Sequence, residues 1–159
     1  MSSAIQTRLD GRMSEWFVLP EFTKNRHGIT NHPTSAYLTN LTILAQNFLD
    51  PVREAVGKPV VITSGYRCPA LNVKVGGSKT SAHLSGEAAD FKVEGMTAPE
   101  LVQVILGLGL PFDQVIAYAP ERGGHVHLGI RAGADARARR QVLWAPKSGG
   151  YEPFNRASA

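Results

Sequence analysis

Two short segments in the second half of the chain hold residues that can bind a metal ion. His125 and His127 alternate within residues 125–130, which we predict to be a strand, so both imidazoles should project from one face of a sheet. Neutral imidazole is a good zinc ligand, and a shared metal is a common reason for two adjacent histidines. Because many His-x-His pairs lie on surface strands, the pair alone is weak support for a metal.

A third histidine and an aspartate complete a candidate ligand set. Asp90 lies in the apolar stretch 88–91, where an unpaired carboxylate would be costly to bury. His83 lies seven residues earlier, and Gly86 permits a tight turn between them. Two histidines and one carboxylate are typical of a catalytic zinc site, which leaves a fourth position for water. Together the residues favour a metal site over the alternative, in which Asp90 caps a turn and His83 is a solvated loop residue.

The elements that must position these residues indicate an α+β fold. Apolar residues recur every three or four positions over residues 35–57, which predicts a helix that kinks or restarts at Pro51, with Asp50 as a cap. A second helix should begin at a capping box formed by Thr97 and Glu100. Since the helices do not alternate regularly with strands, we expect them on one face of a small, mainly antiparallel sheet that carries the zinc site. The predicted strands span residues 58–64, 87–93, 114–118, 125–130 and 140–145.

Length and composition exclude several classes of protein. The 159 residues suit a single domain, 1–159, with residues 1–34 as an irregular segment packed on it. A hydrophobic content of 43% is too high for a disordered chain, and no apolar run approaches the ~20 residues of a membrane helix. The single cysteine excludes a disulfide framework and a cysteine-rich zinc finger. The first residues lack the apolar core of a signal peptide.

The net charge of +4 comes entirely from residues 131–159. Such a basic segment is typical either of an anionic partner, such as nucleic acid, a membrane surface or a cell-wall polymer, or of a solvated surface. No stripe of aromatic residues interleaves with these bases, so we expect no nucleic-acid partner.

Three motifs resemble a known family. They are SGYR at residues 64–67, SAHLSGEAAD at residues 81–90 and HVHL at residues 125–128. In this order they resemble the zinc D-Ala-D-Ala carboxypeptidase family, peptidase family M15, and above all its peptidoglycan-cleaving members, many of which are phage lysins. The resemblance runs from about Leu19 to the strand at Arg140 and covers most of the chain.

The resemblance implies a ligand set and substrate contacts. His83, Asp90 and His127 would bind one zinc ion, which activates a water molecule for attack on a peptide bond. Arg67 would contact the substrate carbonyl and the developing oxyanion, or hold a terminal carboxylate through its forked guanidinium. Ser81 would lie on the substrate-binding side of the site.

The sequence identifies the general base and the cleft wall less clearly than the zinc ligands. The family usually has an acidic residue or a histidine a few positions before the last ligand, but Gly124 stands three positions before His127 here. The base is then His125, Glu121 or a residue from elsewhere, and we favour His125 because it should share a strand face with the ligand and can titrate near neutrality. We also expect Tyr66 to line the substrate cleft.

These observations predict a zinc peptidase that cleaves peptidoglycan stem peptides, as a D-Ala-D-Ala carboxypeptidase or as an endopeptidase of the endolysin type. The alternative is a non-catalytic peptidoglycan-binding or virion module that retains the zinc site. The partner would be bacterial peptidoglycan, without a membrane span, and we expect a monomer. The substrate lies in the periplasm or cell wall, so the absence of a signal peptide indicates release through a holin, delivery on a virion or a chain from which the signal has been removed.

Overall fold

Six strands form one mixed sheet in the part of the chain that the structure, a computed structural model, describes: residues 11–133 and 137–155. The strands are β1 Val60–Ser64, β2 Ala88–Val93, β3 Gln114–Tyr118, β4 Val126–Gly129, β5 Gln141–Ala145 and β6 Glu152–Pro153. Their order across the sheet is β1-β2-β4-β3-β5-β6. Neighbours run antiparallel except β3 and β5, which are parallel. The α+β class is confirmed, and β6 is a short strand that the sequence did not predict.

The helices follow the apolar periodicity of the sequence. The described ranges contain α1 Pro20–Thr23, α2 Ser35–Leu44, α3 Asp50–Val56, α4 Pro69–Lys74 and α5 Ala98–Gly107. A π-helical segment, Ala45–Leu49, joins α2 to α3, so the helix restarts at Asp50, next to Pro51. Pro51 has no backbone N–H to donate, and the N–H of Asp50 bonds to the carbonyl of Ala45, five residues earlier. The Thr97/Glu100 capping box begins α5 as predicted. None of the described helices is long and apolar enough to cross a membrane.

Asp50 does not cap a helix, contrary to the prediction. Its buried carboxylate instead accepts hydrogen bonds from Ser14 Oγ at 2.8 Å and from the backbone N–H groups of Glu15 and Trp16 at 3.0 and 3.2 Å. Burial raises the pKa of Asp50. The carboxylate therefore fastens the segment before α1 onto the helical layer. Residues 1–10 lie outside the described residues, and a single domain over 1–159 stays a prediction.

Alternation along the central strands separates a packed face of the sheet from an open one. Phe91 of β2 and Leu128 of β4 are fully buried in a core that they share with Leu101 of α5. Helix α5 contacts β3, β4 and α3 on this side. Successive strand residues point to opposite faces, so Asp90 and His127 project away from the helices. The helices thus leave one face of the sheet free to carry a site.

Candidate active site

The register between β2 and β4 places two of the predicted ligands side by side. Asp90 is the direct cross-strand partner of His127, and Asp90 Oδ1 lies 2.9 Å from His127 Nδ1. Both side chains belong to the open face of the sheet. The two short segments that carry them are 37 residues apart in sequence, and antiparallel pairing alone brings them together.

His83 reaches the same point from a 3₁₀ turn, Ala82–Ser85, that precedes β2. Its Nε2 lies 3.3 Å from Asp90 Oδ1, and the ring is only 2% exposed. The turn ends at Gly86, whose φ of +73° is left-handed and whose missing Cβ would lie 2.6 Å from the carbonyl oxygen of Tyr37. A side chain at Gly86 would therefore be strained and would clash. The predicted glycine turn between His83 and Asp90 is present.

The donor set fits a zinc ion. Ligand atoms of His83, Asp90 and His127 all lie within 4.8 Å of one another. Donors around a tetrahedral zinc are about 3.3 Å apart, given bond lengths of ~2.0–2.1 Å. The His83–Asp90 separation matches this spacing, and the shorter Asp90–His127 contact needs to open by a few tenths of an ångström.

The protonation state of the set also fits a metal. His83 Nδ1 lies 2.7 Å from the carbonyl oxygen of Gly65, which can only accept, so Nδ1 carries the proton and the lone pair of Nε2 faces Asp90. Burial lowers the pKa of His83. Burial alone would raise the pKa of Asp90, but the neighbouring His83 and His127 hold it well below its usual range. A neutral imidazole beside an ionised carboxylate is the state that binds a divalent cation.

Arg67 extends along the edge of this group. Its Nη2 lies 3.4 Å from Asp90 Oδ2, its Nε donates to Ser64 Oγ at 3.0 Å, and its Nη1 lies 3.4 Å from Asn72 Oδ1. The guanidinium is thus held from three sides beside the candidate ligands. The sequence prediction placed Arg67 near the site, and the structure brings it there.

Asn31 is a residue that sequence reasoning missed. Its buried amide donates to the carbonyls of Tyr66 at 2.8 Å and Thr23 at 3.1 Å, and it accepts from the N–H of Cys68 at 2.7 Å. Two of these bonds bracket Arg67 in the chain, so Asn31 fixes the backbone from which Arg67 extends. In the sequence, Asn31 is only a polar residue before His32 and Pro33, and its neighbours indicate no role for it.

The two candidate bases lie in different surroundings. His125 Nε2 is 3.9 Å from Asp90 Oδ2, and burial lowers the pKa of His125. Glu121 is exposed in the turn Pro120–Arg122, and no described hydrogen bond or ion pair joins it to the ligand group. The structure therefore brings His125 to the site and leaves Glu121 outside it.

Tyr118 is a second residue that sequence reasoning missed. Its ring stacks on His125 with 4.3 Å between centroids, and its hydroxyl lies 3.2 Å from that of Tyr151. Arg122 lies 5.3 Å from both tyrosine rings. Burial raises the pKa of Tyr118, so its hydroxyl keeps its proton at neutral pH. Ile116 pairs with His127, and side chains two residues apart on a strand share a face, so Tyr118 lies on the face of the sheet that carries His127. This alternation was the signal that could have identified Tyr118.

An open cleft of about 800 Å³ runs over the ligand group. Arg67 and Ser81 line it, and their contacts with a substrate stay a prediction. Tyr66 does not line it: the side chain is 5% exposed and packs in the core against Tyr37, with ring centroids 5.9 Å apart. The expectation that Tyr66 forms a cleft wall is corrected accordingly. The N–H of Tyr66 bonds to the carbonyl oxygen of Phe22 at 2.8 Å, and the side chain belongs to the hydrophobic core.

The fold and the ligand geometry agree with the comparison to known families. A family model described as Peptidase M15 matches residues 17–128, more than half of the chain. The chain belongs to the peptidase M15 family, which confirms the resemblance drawn from the three motifs. A curated relative, the zinc D-Ala-D-Ala carboxypeptidase of Streptomyces albus G, is 32% identical over 91 residues. The alignment covers 56% of this chain and 34% of the relative, so the chain spans about a third of that protein's length.

Proposed function

We propose that this protein is a zinc-dependent peptidase that hydrolyses peptide bonds in the stem peptides of bacterial peptidoglycan. The observation that carries the proposal is the buried group of His83, Asp90 and His127 on the floor of a cleft. Membership of a peptidase family and a relative named as a zinc D-Ala-D-Ala carboxypeptidase support the metal and the substrate class. The site of action would be the cell wall.

Three side chains would hold the zinc ion, through His83 Nε2, Asp90 Oδ1 and His127 Nδ1. Zinc bound there supplies a Lewis acid and lowers the pKa of a coordinated water toward ~7. The carbonyl of Gly65 fixes the tautomer of His83, so the ligand atom is oriented before the metal arrives.

Two donors would stabilise the oxygen of the scissile carbonyl as negative charge develops. Arg67 is held beside Asp90 by Ser64 and Asn72, so its guanidinium needs little reorganisation. The hydroxyl of Tyr118 keeps its proton, and this residue also lines the cleft. Tyr118 can therefore donate a hydrogen bond but cannot serve as the base.

We propose His125 as the general base. Its Nε2 faces the ligand group, and its ring is held against Tyr118. Nε2 would accept the proton of the attacking water and deliver it to the nitrogen of the leaving amine. Glu121 remains the alternative if the turn that carries it closes over the cleft.

The cleft supports a substrate of several residues. Its lining continues past the ligands to Asp113, Arg131 and Arg139. An extended peptide can lie along such an open groove, which favours an endopeptidase over an enzyme that removes a single terminal residue. The cleaved bond is identified by mass spectrometry of the digestion products.

The test is the digestion of purified sacculi with the zinc-loaded protein. We expect new amino termini to be released, release to stop with a chelator, and activity to return when zinc is added. His83→Ala should abolish release, whereas His32→Ala, which changes an exposed histidine outside the cleft, should not. Binding of sacculi without release would refute the peptidase and favour the alternative of a peptidoglycan-binding module.

A further inference from the structure

A second charged group lies in the cleft, apart from the ligands. The carboxylate of Asp113 is 8% exposed and binds two arginines. Arg131 Nε donates to Oδ1 at 2.9 Å. Arg139 donates to Oδ1 from its backbone N–H at 3.0 Å and from Nε at 3.2 Å, and to Oδ2 from Nη2 at 2.9 Å. One buried carboxylate thus orients two guanidinium groups that line the cleft.

Most of the guanidinium donors of this pair have no protein partner among the described residues. A guanidinium has five N–H groups. Arg131 gives one to Asp113, which leaves four, and Arg139 gives two, which leaves three. The two side chains are 44% and 50% exposed, so these donors are accessible to a ligand. Since one carboxylate balances only one of the two cations, the group of Asp113, Arg131 and Arg139 carries one net positive charge.

The strand geometry fixes how far this pair lies from the ligands. The N–H of Asp113 bonds to the carbonyl of Gly129, which is two residues past His127 on β4. At ~3.3 Å per residue, the Cα atom of Gly129 lies about 7 Å from that of His127, and the Cα atom of Arg131, two residues past the end of β4, lies at most about 13 Å from it. An extended peptide covers that span in roughly two to four residues.

Glu87 also lines the cleft, and protein donors already bind its carboxylate. Glu87 accepts hydrogen bonds from Ser85 Oγ at 2.6 Å on one oxygen and from the N–H of Ala132 at 3.0 Å on the other. The contact with Ala132 ties the segment that carries Arg131 to the sheet. Glu87 therefore helps to hold the arginine pair in place.

We propose that Arg131 and Arg139 form a carboxylate-binding subsite. The ligand is an acidic peptide whose carboxylate lies two to four residues from the bond that is cleaved. Guanidinium groups bind carboxylates through paired, charge-assisted hydrogen bonds, and Asp113 holds both groups in position before the substrate arrives. This assignment rests on the proposed peptidase function and adds a preference to it: stem peptides with free carboxylates are favoured over amidated ones.

The experiment compares two synthetic stem peptides on the zinc-loaded full chain, one with free carboxylates and one with the same groups amidated. The measured quantity is kcat/KM, and Kd by calorimetry where no cleavage occurs. We expect the wild type to prefer the free carboxylates by about tenfold or more, the effect of one charge-assisted contact. The double variant Arg131→Gln/Arg139→Gln should lose this preference. Arg137→Gln, which removes an exposed cation of the same segment, should keep it.

A single variant keeps the subsite testable if the double variant does not fold. Arg131→Gln leaves the contacts of Arg139 to Asp113 in place, so it should fold and lose part of the preference. The subsite is overturned if the wild type has the same kcat/KM, or the same Kd, for both peptides. It is also overturned if the folded double variant keeps the preference for free carboxylates. Preferential binding of the free carboxylates without cleavage supports the subsite and refutes the peptidase function instead.

Discussion

Replacing Asn31 by alanine tests whether a buried amide positions Arg67. The change removes three hydrogen bonds, to Thr23, Tyr66 and Cys68. At about 1 kcal/mol each, their loss should lower the free energy of unfolding by about 3 kcal/mol. For a chain of this size, that corresponds to a fall in Tm of roughly 6–12 °C. Because two of the bonds flank Arg67, its guanidinium should shift, and a displacement of ~1 Å can reduce turnover about 100-fold.

The assay measures urea unfolding and, well below the reduced Tm, the hydrolysis of sacculi. Asn25→Ala is the matched control: its amide also makes three hydrogen bonds, but all of them stay within its own loop, to His27 and Ile29. We expect the control to lose stability and keep its turnover. If Asn31→Ala loses stability but no more turnover than the control does, Asn31 does not position Arg67 and the reasoning is refuted.

Four further outcomes follow from the site. His83→Ala should bind far less than one zinc per chain by metal analysis, and full occupancy would sink the ligand assignment. Arg67→Lys should keep its zinc and its fold but lose most turnover, since lysine lacks the fork; an unchanged rate would place Arg67 outside the reaction. His125→Ala should hold zinc and hydrolyse sacculi about 10²–10⁴-fold more slowly; persistent activity that Glu121→Gln abolishes would make Glu121 the base. Tyr118→Phe keeps the ring but removes the donor, so kcat should fall about 10²-fold with zinc content unchanged; wild-type kcat would exclude the proposed hydrogen bond.

Local patterns in the sequence predicted most of the fold. Two of these patterns are the β-branched run before Ser64 and the capping box at Thr97 and Glu100. The structure has strand β1 at the first position and the start of helix α5 at the second. The strand order could not be predicted in this way, because β4 lies between β2 and β3 and β5 pairs in parallel with β3. Asp50 shows the same limit: its partners Ser14 and Glu15 lie 36 and 35 residues away, so a local cap was the wrong interpretation.

The candidate site also contains residues that the sequence predicted and residues that it did not. His83, Asp90 and His127 could be predicted, since their residue types and spacing restrict the chemistry, and the structure brings them together. Asn31 could not, because its role depends on backbone groups that only the tertiary structure brings close. Tyr66 was expected in the cleft, but it packs against Tyr37, which lies 29 residues earlier, and no local pattern shows such a contact.

The hydrophobic core also sets the geometry of the metal site. Ala89 and Phe91 on either side of Asp90 are fully buried, as are Val126 and Leu128 on either side of His127. Because side chains alternate along a strand, a slip of one residue in either strand would turn its two apolar side chains toward the cleft and its ligand, Asp90 or His127, into the core. The cost of such a slip is the loss of two buried apolar side chains, at about 1.5–3 kcal/mol for each of the larger ones, together with the burial of a polar or charged group. The pairing of Asp90 with His127 is therefore fixed by folding, and a zinc ion would meet two of its three ligands already in register.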